Sequence, residues 1–312
     1  MGLFGQRGRE RDEVPDEHLE LLTRNDADRL RSLVRTTLAE RGYEVEVFGD
    51  HVQSADGRLF GLDNLMRMAR AEQDRRAWPA MVARHLDAVL SGFGAARPTD
   101  DELRAQLVTR LLDVTDSAQP FGYALEWQTG IAEVLTVDYP ERVAILPDPA
   151  VERLAPLGPW LDLARANLRR TIAAADVTVQ RLGREGEGFP VAVSDCVYLA
   201  SAATFLPEVL PLWQPGIDLR GGVLFCVPSR QQLAFQACTD ATAVLCALAL
   251  MPRFSVGGYA DGVGPLSPHV YYWRDGTVQQ ITRITGNSIE VHLGPELEAL
   301  LSAARSAGGG RG

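Results

Sequence analysis

The stretch 189–251 constrains the fold more than any other part of the chain. It opens on Phe189, Pro190, Val191, Ala192 and Val193, a short apolar run that reads as a strand. Ser194 and Asp195 then offer N-caps for a helix over 198–206. Pro207, Pro211, Pro215 and Gly216 mark a break. Two more apolar runs follow, 223–227 and 231–237. Thr239 and Asp240 then open a helix over 241–251 that is apolar on every side. Strands without polar alternation belong to a sheet covered on both faces, and a helix apolar all round belongs inside a domain. This stretch is therefore expected to form the core of the larger of two domains.

Two domains are the expectation for 312 residues. Residues 1–18, with charges of both signs and several glycines, read as a disordered tail. Asp26 stands as the cap of an amphipathic helix with Leu30, Leu33, Val34 and Leu38 on one face, ended by Gly42. Residues 43–47 alternate as a half-buried strand, and Gly49-Asp50 and Asp56-Gly57 turn a three-stranded meander that ends near Phe60. Leu62, Leu65, Met66 and Ala69 begin a second helix. Trp78, Met81, Val82, His85, Leu86, Val89 and Leu90 repeat at the spacing of a third. The result is a small α-β-β-β-α-α module over 19–97, with its linker at 94–101.

A larger mixed-sheet α+β domain is expected over 98–307. Its strands fall at 108–114, 121–127, 131–137, 143–146, 177–182 and 288–293, with a hairpin around Asp275-Gly276. A helix from Trp160 to Ile172 carries Asn167 within its apolar stripe, and Leu297, Leu300 and Leu301 mark a C-terminal helix. Gly183 to Gly188 reads as a charged hairpin-type loop. Gly257, Gly258, Gly262 and Gly264 read as a mobile segment, and 308–312 as a disordered tail. The fold class is α+β.

Several chemistries drop out. The net charge, 31 − 41 = −10, argues against nucleic acid or an anionic membrane as the main partner. The chain has no lysine, so a Schiff base, a pyridoxal-phosphate lysine and a P-loop lysine are all excluded. Cys196, Cys226, Cys238 and Cys246 show no C-x-x-C spacing and read as free thiols in a reducing compartment, hence a cytoplasmic protein. Residues 1–16 do not read as a signal peptide, and no window approaches 18 apolar residues, so no membrane span is expected. His18, His51, His85, His269 and His292 are scattered, which indicates no metal, and no cofactor motif is evident.

What remains is a set of polar residues inside apolar elements: Asn167 and Arg169, then Asp195, Tyr198 and Ser201, then Arg230 after Val227-Pro228. Buried polar groups must find partners. They form either a structural network or a binding cleft between two helices and the Pro228 loop. Cys196 falls just inside an expected helix N-terminus, a place that lowers a thiol pKa. Asp195 beside it opposes the thiolate, and no histidine is close in sequence, so Asp195 and Cys196 are an incomplete catalytic set.

The segments Ala166-Asn167-Leu168-Arg169, Asp195-x-x-Tyr198-x-Ala200-Ser201 and Val227-Pro228-x-Arg230 resemble the YtpQ-like family, bacterial cytosolic proteins of unknown function. The likeness covers about 29–281 and implies the same element order, without implying an activity, substrate or cofactor. The reading at this level is a non-catalytic protein-interaction or adaptor module, chaperone-like by fold analogy, with another protein as partner and a small-molecule ligand as a further option. The alternative is a hydrolase or transferase with a cleft at Asp195, Cys196 and Arg230.

Overall fold

A computed structural model describes residues 14–55, 57–91, 99–115, 121–140, 142–184, 187–286 and 288–308. The chain divides into two units, Met1–Arg97 with Tyr139–Arg142, and Pro98–Asp138 with Val143–Gly312. Each is built on antiparallel sheet with helices, as the α+β class requires.

In the smaller unit, helix α1 (Arg24–Glu40) buries Ala27, Leu30, Val34 and Leu38. Its cap is Thr23 rather than Asp26: the Thr23 hydroxyl accepts from the Asp26 amide, which leaves Asp26 in the first turn, where a carboxylate suits the helix dipole. Strands β1 (Val45–Val47), β2 (His51–Ser54) and β3 (Leu59–Gly61) form the meander in that order. Helices α2 (Asp63–Ala71) and α3 (Trp78–Leu90) follow. The α3 stripe of Trp78, Met81, Val82 and Leu86 is buried in one core with Val52 and Phe60, so that stripe is interior rather than a partner surface. The expected free tail is shorter than read. Asp16 accepts 3.0 and 2.6 Å hydrogen bonds from Arg31, and Leu19 and Leu22 are buried. The Arg31 guanidinium holds the Asp16 carboxyl down at about 2. Residues 1–13, Asp56 and most of the expected linker lie outside the described residues.

The larger unit starts with α4 (Asp100–Gln106), which carries the Thr99–Glu102 capping box. Strands β4 (Leu107–Asp113), β5 (Leu125–Gln128), β6 (Ile131–Tyr139) and β7 (Arg142–Ile145) make one antiparallel sheet, with β6 pairing the other three. The short α5 (Asp148–Val151) and the long α6 (Leu157–Ala174) come next. Strands β8 (Thr178–Arg184) and β9 (Glu187–Val193) pair out to Arg184 and Glu187, so Gly183 and Gly188 face each other in the ladder and are not a loop.

A 3-10 helix, Leu199–Phe205, and then α7 (Leu206–Trp213) replace the single helix expected over 198–206. Pro207 sits in the first turn of α7 and Pro211 lies inside it, so these prolines do not break the chain. Next come β10 (Val223–Cys226), β11 (Gln232–Ala237), α8 (Ala241–Asp261), the β12 (Val270–Arg274)–β13 (Thr277–Gln280) hairpin, the β14 (Thr282–Thr285)–β15 (Ser288–Val291) pair and α9 (Pro295–Gly308).

The main sheet runs β13-β12-β10-β11-β9-β8. Its central strand β10 is buried at every residue. Val223 and Phe225 point into one core with Tyr198, Leu199 and Phe205, while Leu224 and Cys226 point into another with Val244, Ala247 and Met251. Burial on both faces is what makes this strand a continuous apolar run, although the sheet is antiparallel.

Helix α8 differs from expectation in two ways. It continues through Pro252, Gly257 and Gly258 to Asp261, so the expected mobile segment is largely helical. Gly258 is there for contact: a Cβ would stand 2.8 Å from the Pro228 side chain. Nor is the helix buried all round, since Leu245 and Leu250 are exposed. At 21 residues it is, by length and composition, long and apolar enough to cross a membrane, a length of apolar helix the sequence reading did not expect. Its inner face packs on the sheet as that of a core helix does.

Gly222, at φ +80°, precedes β10, and a Cβ there would meet the Trp273 carbonyl at 2.7 Å. Gly222→Ala is expected to destabilise the larger unit by about 2–4 kcal/mol through backbone strain and overpacking, measured as a shift of its urea unfolding midpoint.

Candidate functional site

The residues singled out in sequence all lie in the larger unit but do different work. Asn167, buried on α6, donates to the Arg104 carbonyl at 2.9 Å and the Leu107 carbonyl at 2.7 Å, and its Oδ1 accepts from Arg170. It ties the end of α4 and the start of β4 to α6. Ser201, also buried, accepts from the Leu111 amide at 3.0 Å and so satisfies an edge donor of β4. These two are structural partners of backbone groups.

Arg169 is half exposed. It donates to Glu208 at 2.8 Å, and its guanidinium lies 5.0 Å from the centre of the Phe205 ring. It lines a groove with Trp127, Trp273 and the Arg165–Glu133 pair. Asp195 is exposed and lies along a separate concavity with Ser194, Gln231 and Gly262; its backbone carbonyl, not its carboxylate, accepts from Gln231 at 3.0 Å. It caps no helix. Ser194 accepts from the Cys196 amide at 3.1 Å, making a local turn.

Cys196 therefore lies in a turn ahead of the 3-10 helix, not inside a helix N-terminus. Burial pushes its thiol pKa up, and the charge of Asp138 adds to this. Both effects oppose the thiolate that a nucleophile requires. Of the trio Asp195, Cys196 and Arg230, the cysteine is thus not activated as a nucleophile.

Tyr198 and Arg230 do come together, with two residues that sequence reasoning missed, Arg110 and Asp138. Arg110 projects from β4, opposite Val134 of β6. Arg230 sits in the β10–β11 loop. Its amide donates to the Gly264 carbonyl at 2.9 Å and its carbonyl accepts from the Ala200 amide at 3.1 Å, so the backbone is pinned on both sides. Gly264, at φ +64°, lies close against the side chain; a Cβ there would be 2.7 Å from Arg230 Cδ. Tyr198 is buried beside Thr136 and Asp138, yet its hydroxyl is in hydrogen-bonding geometry with neither.

The electrostatics of this group are unusual. The Nε atoms of Arg110 and Arg230 and the Tyr198 hydroxyl are all buried without a hydrogen-bond partner. Among the described residues neither guanidinium forms an ion pair. Burial lowers the Arg110 pKa to about 10, and the neighbouring Arg230 charge lowers it too. Burial likewise lowers Arg230. Both remain protonated at neutral pH. Burial raises Tyr198, and it raises Asp138, where contact with Tyr198 opposes the effect. Asp138 thus acts on Tyr198 and Cys196, and among the described residues it forms no ion pair with either arginine.

Arg110 left no signal in sequence, because one arginine in a short strand reads as solvent-facing. Among the described residues no three His, Cys, Asp or Glu side chains gather as metal ligands. No family model, curated protein or solved structure matches the chain.

The Cys196 thiol gives a direct check. Its alkylation by iodoacetamide is expected to be slow at pH 8 and to rise only above the ordinary thiol range of about 8.5, because the thiolate is scarce below it. Mass spectrometry of the labelled peptide measures this; fast labelling at pH 7 is the contrary result.

Proposed function

We propose that this is a non-catalytic binding protein whose larger unit holds an anionic group between Arg110 and Arg230. One observation carries the reading: the Nε atoms of Arg110 and Arg230 are both buried without a hydrogen-bond partner, and among the described residues no carboxylate pairs with either side chain. An uncompensated buried charge is strongly unfavourable, and a fold that retains two needs a compensating anion. Arginine suits this role, since its planar fork remains charged when desolvated and grips carboxylate or phosphate oxygens.

The raised Cys196 thiol speaks for binding over the hydrolase or transferase alternative. The buried α3 stripe gives no support to a protein partner on that helix, so a small ligand is preferred to the adaptor reading. Free thiols at Cys196, Cys226, Cys238 and Cys246 fit a reducing compartment, and a cytoplasmic location belongs to the same proposal, as does the likeness to the YtpQ-like family.

Removing one charge separates a ligand site from a structural one. In chloride buffer Arg230→Met is expected to raise unfolding stability by about 1–3 kcal/mol, because it removes like-charge repulsion and desolvation. Wild type gains stability when sulfate replaces chloride at constant ionic strength, by about 2.7 kcal/mol at 100 times the dissociation constant; Arg230→Met gains none through the site. A destabilised variant that responds to sulfate as wild type does would contradict the proposal.

A further inference from the structure

We propose that the group held by Arg110 and Arg230 is a tetrahedral dianion: free phosphate or the phosphoryl group of a small phosphomonoester. This rests on the anion-binding reading above and narrows its ligand. Three buried donor atoms lack partners, Arg110 Nε, Arg230 Nε and the Tyr198 hydroxyl. They come from three different parts of the fold: strand β4, the β10–β11 loop and the turn before the 3-10 helix. Donors supplied from three elements suit an acceptor whose oxygens point to the corners of a tetrahedron. A carboxylate offers two oxygens in one plane, which a single guanidinium fork already satisfies.

Charge leads to the same answer. Among the described residues the two guanidinium charges form no ion pair, and a phosphoryl group carries about −1.5 to −2 at pH 7, whereas a carboxylate carries one. The chain has no lysine, so permanent positive charge for such a ligand can come from side chains only as arginine. The site is also held ready. The Arg230 backbone is hydrogen-bonded to Gly264 and Ala200, and Gly264 lies against its aliphatic stem. Arg110 stands on a strand paired along its whole length with β6. Little ordering is left for the moment of binding, which favours affinity for a small ion.

Calorimetric titration of the full chain at constant ionic strength tests this, using inorganic phosphate, sulfate, acetate and succinate. Phosphate and sulfate are expected to bind at least tenfold more tightly than acetate or succinate. Arg110→Gln and Arg230→Gln should each weaken phosphate binding tenfold or more. Arg220→Gln, which alters an exposed arginine paired with Asp218, should leave it unchanged. Methyl phosphate separates the two sources: equal affinity assigns a phosphomonoester, and lost affinity assigns free phosphate. If acetate or succinate binds as tightly as phosphate, the tetrahedral assignment falls while the anion site stands. If no anion binds, or if Arg220→Gln weakens binding as much as Arg110→Gln does, the anion site falls as well. Thermal unfolding of each variant confirms that it is folded before its affinity is read.

Discussion

The larger unit depends on a sheet covered on both of its faces. Strand β10 sends Val223 and Phe225 one way and Leu224 and Cys226 the other, so neither face can be left to water. On one side α8 and α9 provide the cover; on the other, the 3-10 helix and α6 do. That second layer has a functional consequence. It brings Tyr198 and the Arg230 loop against the sheet that carries Arg110. The packing that builds the core thus also removes charged groups from water.

Most polar groups caught in that layer are satisfied. Asn167 takes up two backbone carbonyls, Ser201 takes up a strand-edge amide, and Arg165 pairs with Glu133. Arg110 and Arg230 are the contrast. Both are desolvated, among the described residues neither is paired with a carboxylate, and the Arg230 charge adds to the cost of holding Arg110. Gln106, Thr109, Gln232 and Arg274 also keep a buried polar atom without a partner, but Arg110 and Arg230 are set apart by adjoining one another and Tyr198.

Much of the architecture could be read from pattern alone. The α1 and α3 stripes, the meander, the strands at β4, β10 and β11 and the Asp275-Gly276 hairpin follow from local periodicity and turn chemistry. The misreadings share a cause, in that tertiary contacts override local signals. Gly257 and Gly258 read as part of a mobile segment past a helix over 241–251, but α8 runs on to Asp261, with Gly258 packed against Pro228. Gly183 and Gly188 read as a loop, yet they pair across a hairpin. Tyr198 and Arg230 stood out because they are polar within apolar runs. Arg110 and Asp138 did not, since their role depends on a pairing between strands some twenty-five residues apart, which local spacing does not encode.

The proposed anion lies between the partly buried guanidinium groups of Arg110 and Arg230. Proton–nitrogen NMR of the arginine Nε–H groups observes them directly. On addition of inorganic phosphate, the resonances of Arg110 and Arg230 should shift downfield and become protected from solvent exchange, while that of Arg220 stays in place. If the Arg110 and Arg230 signals do not move at saturating phosphate, or move only as Arg220 does, the account is wrong.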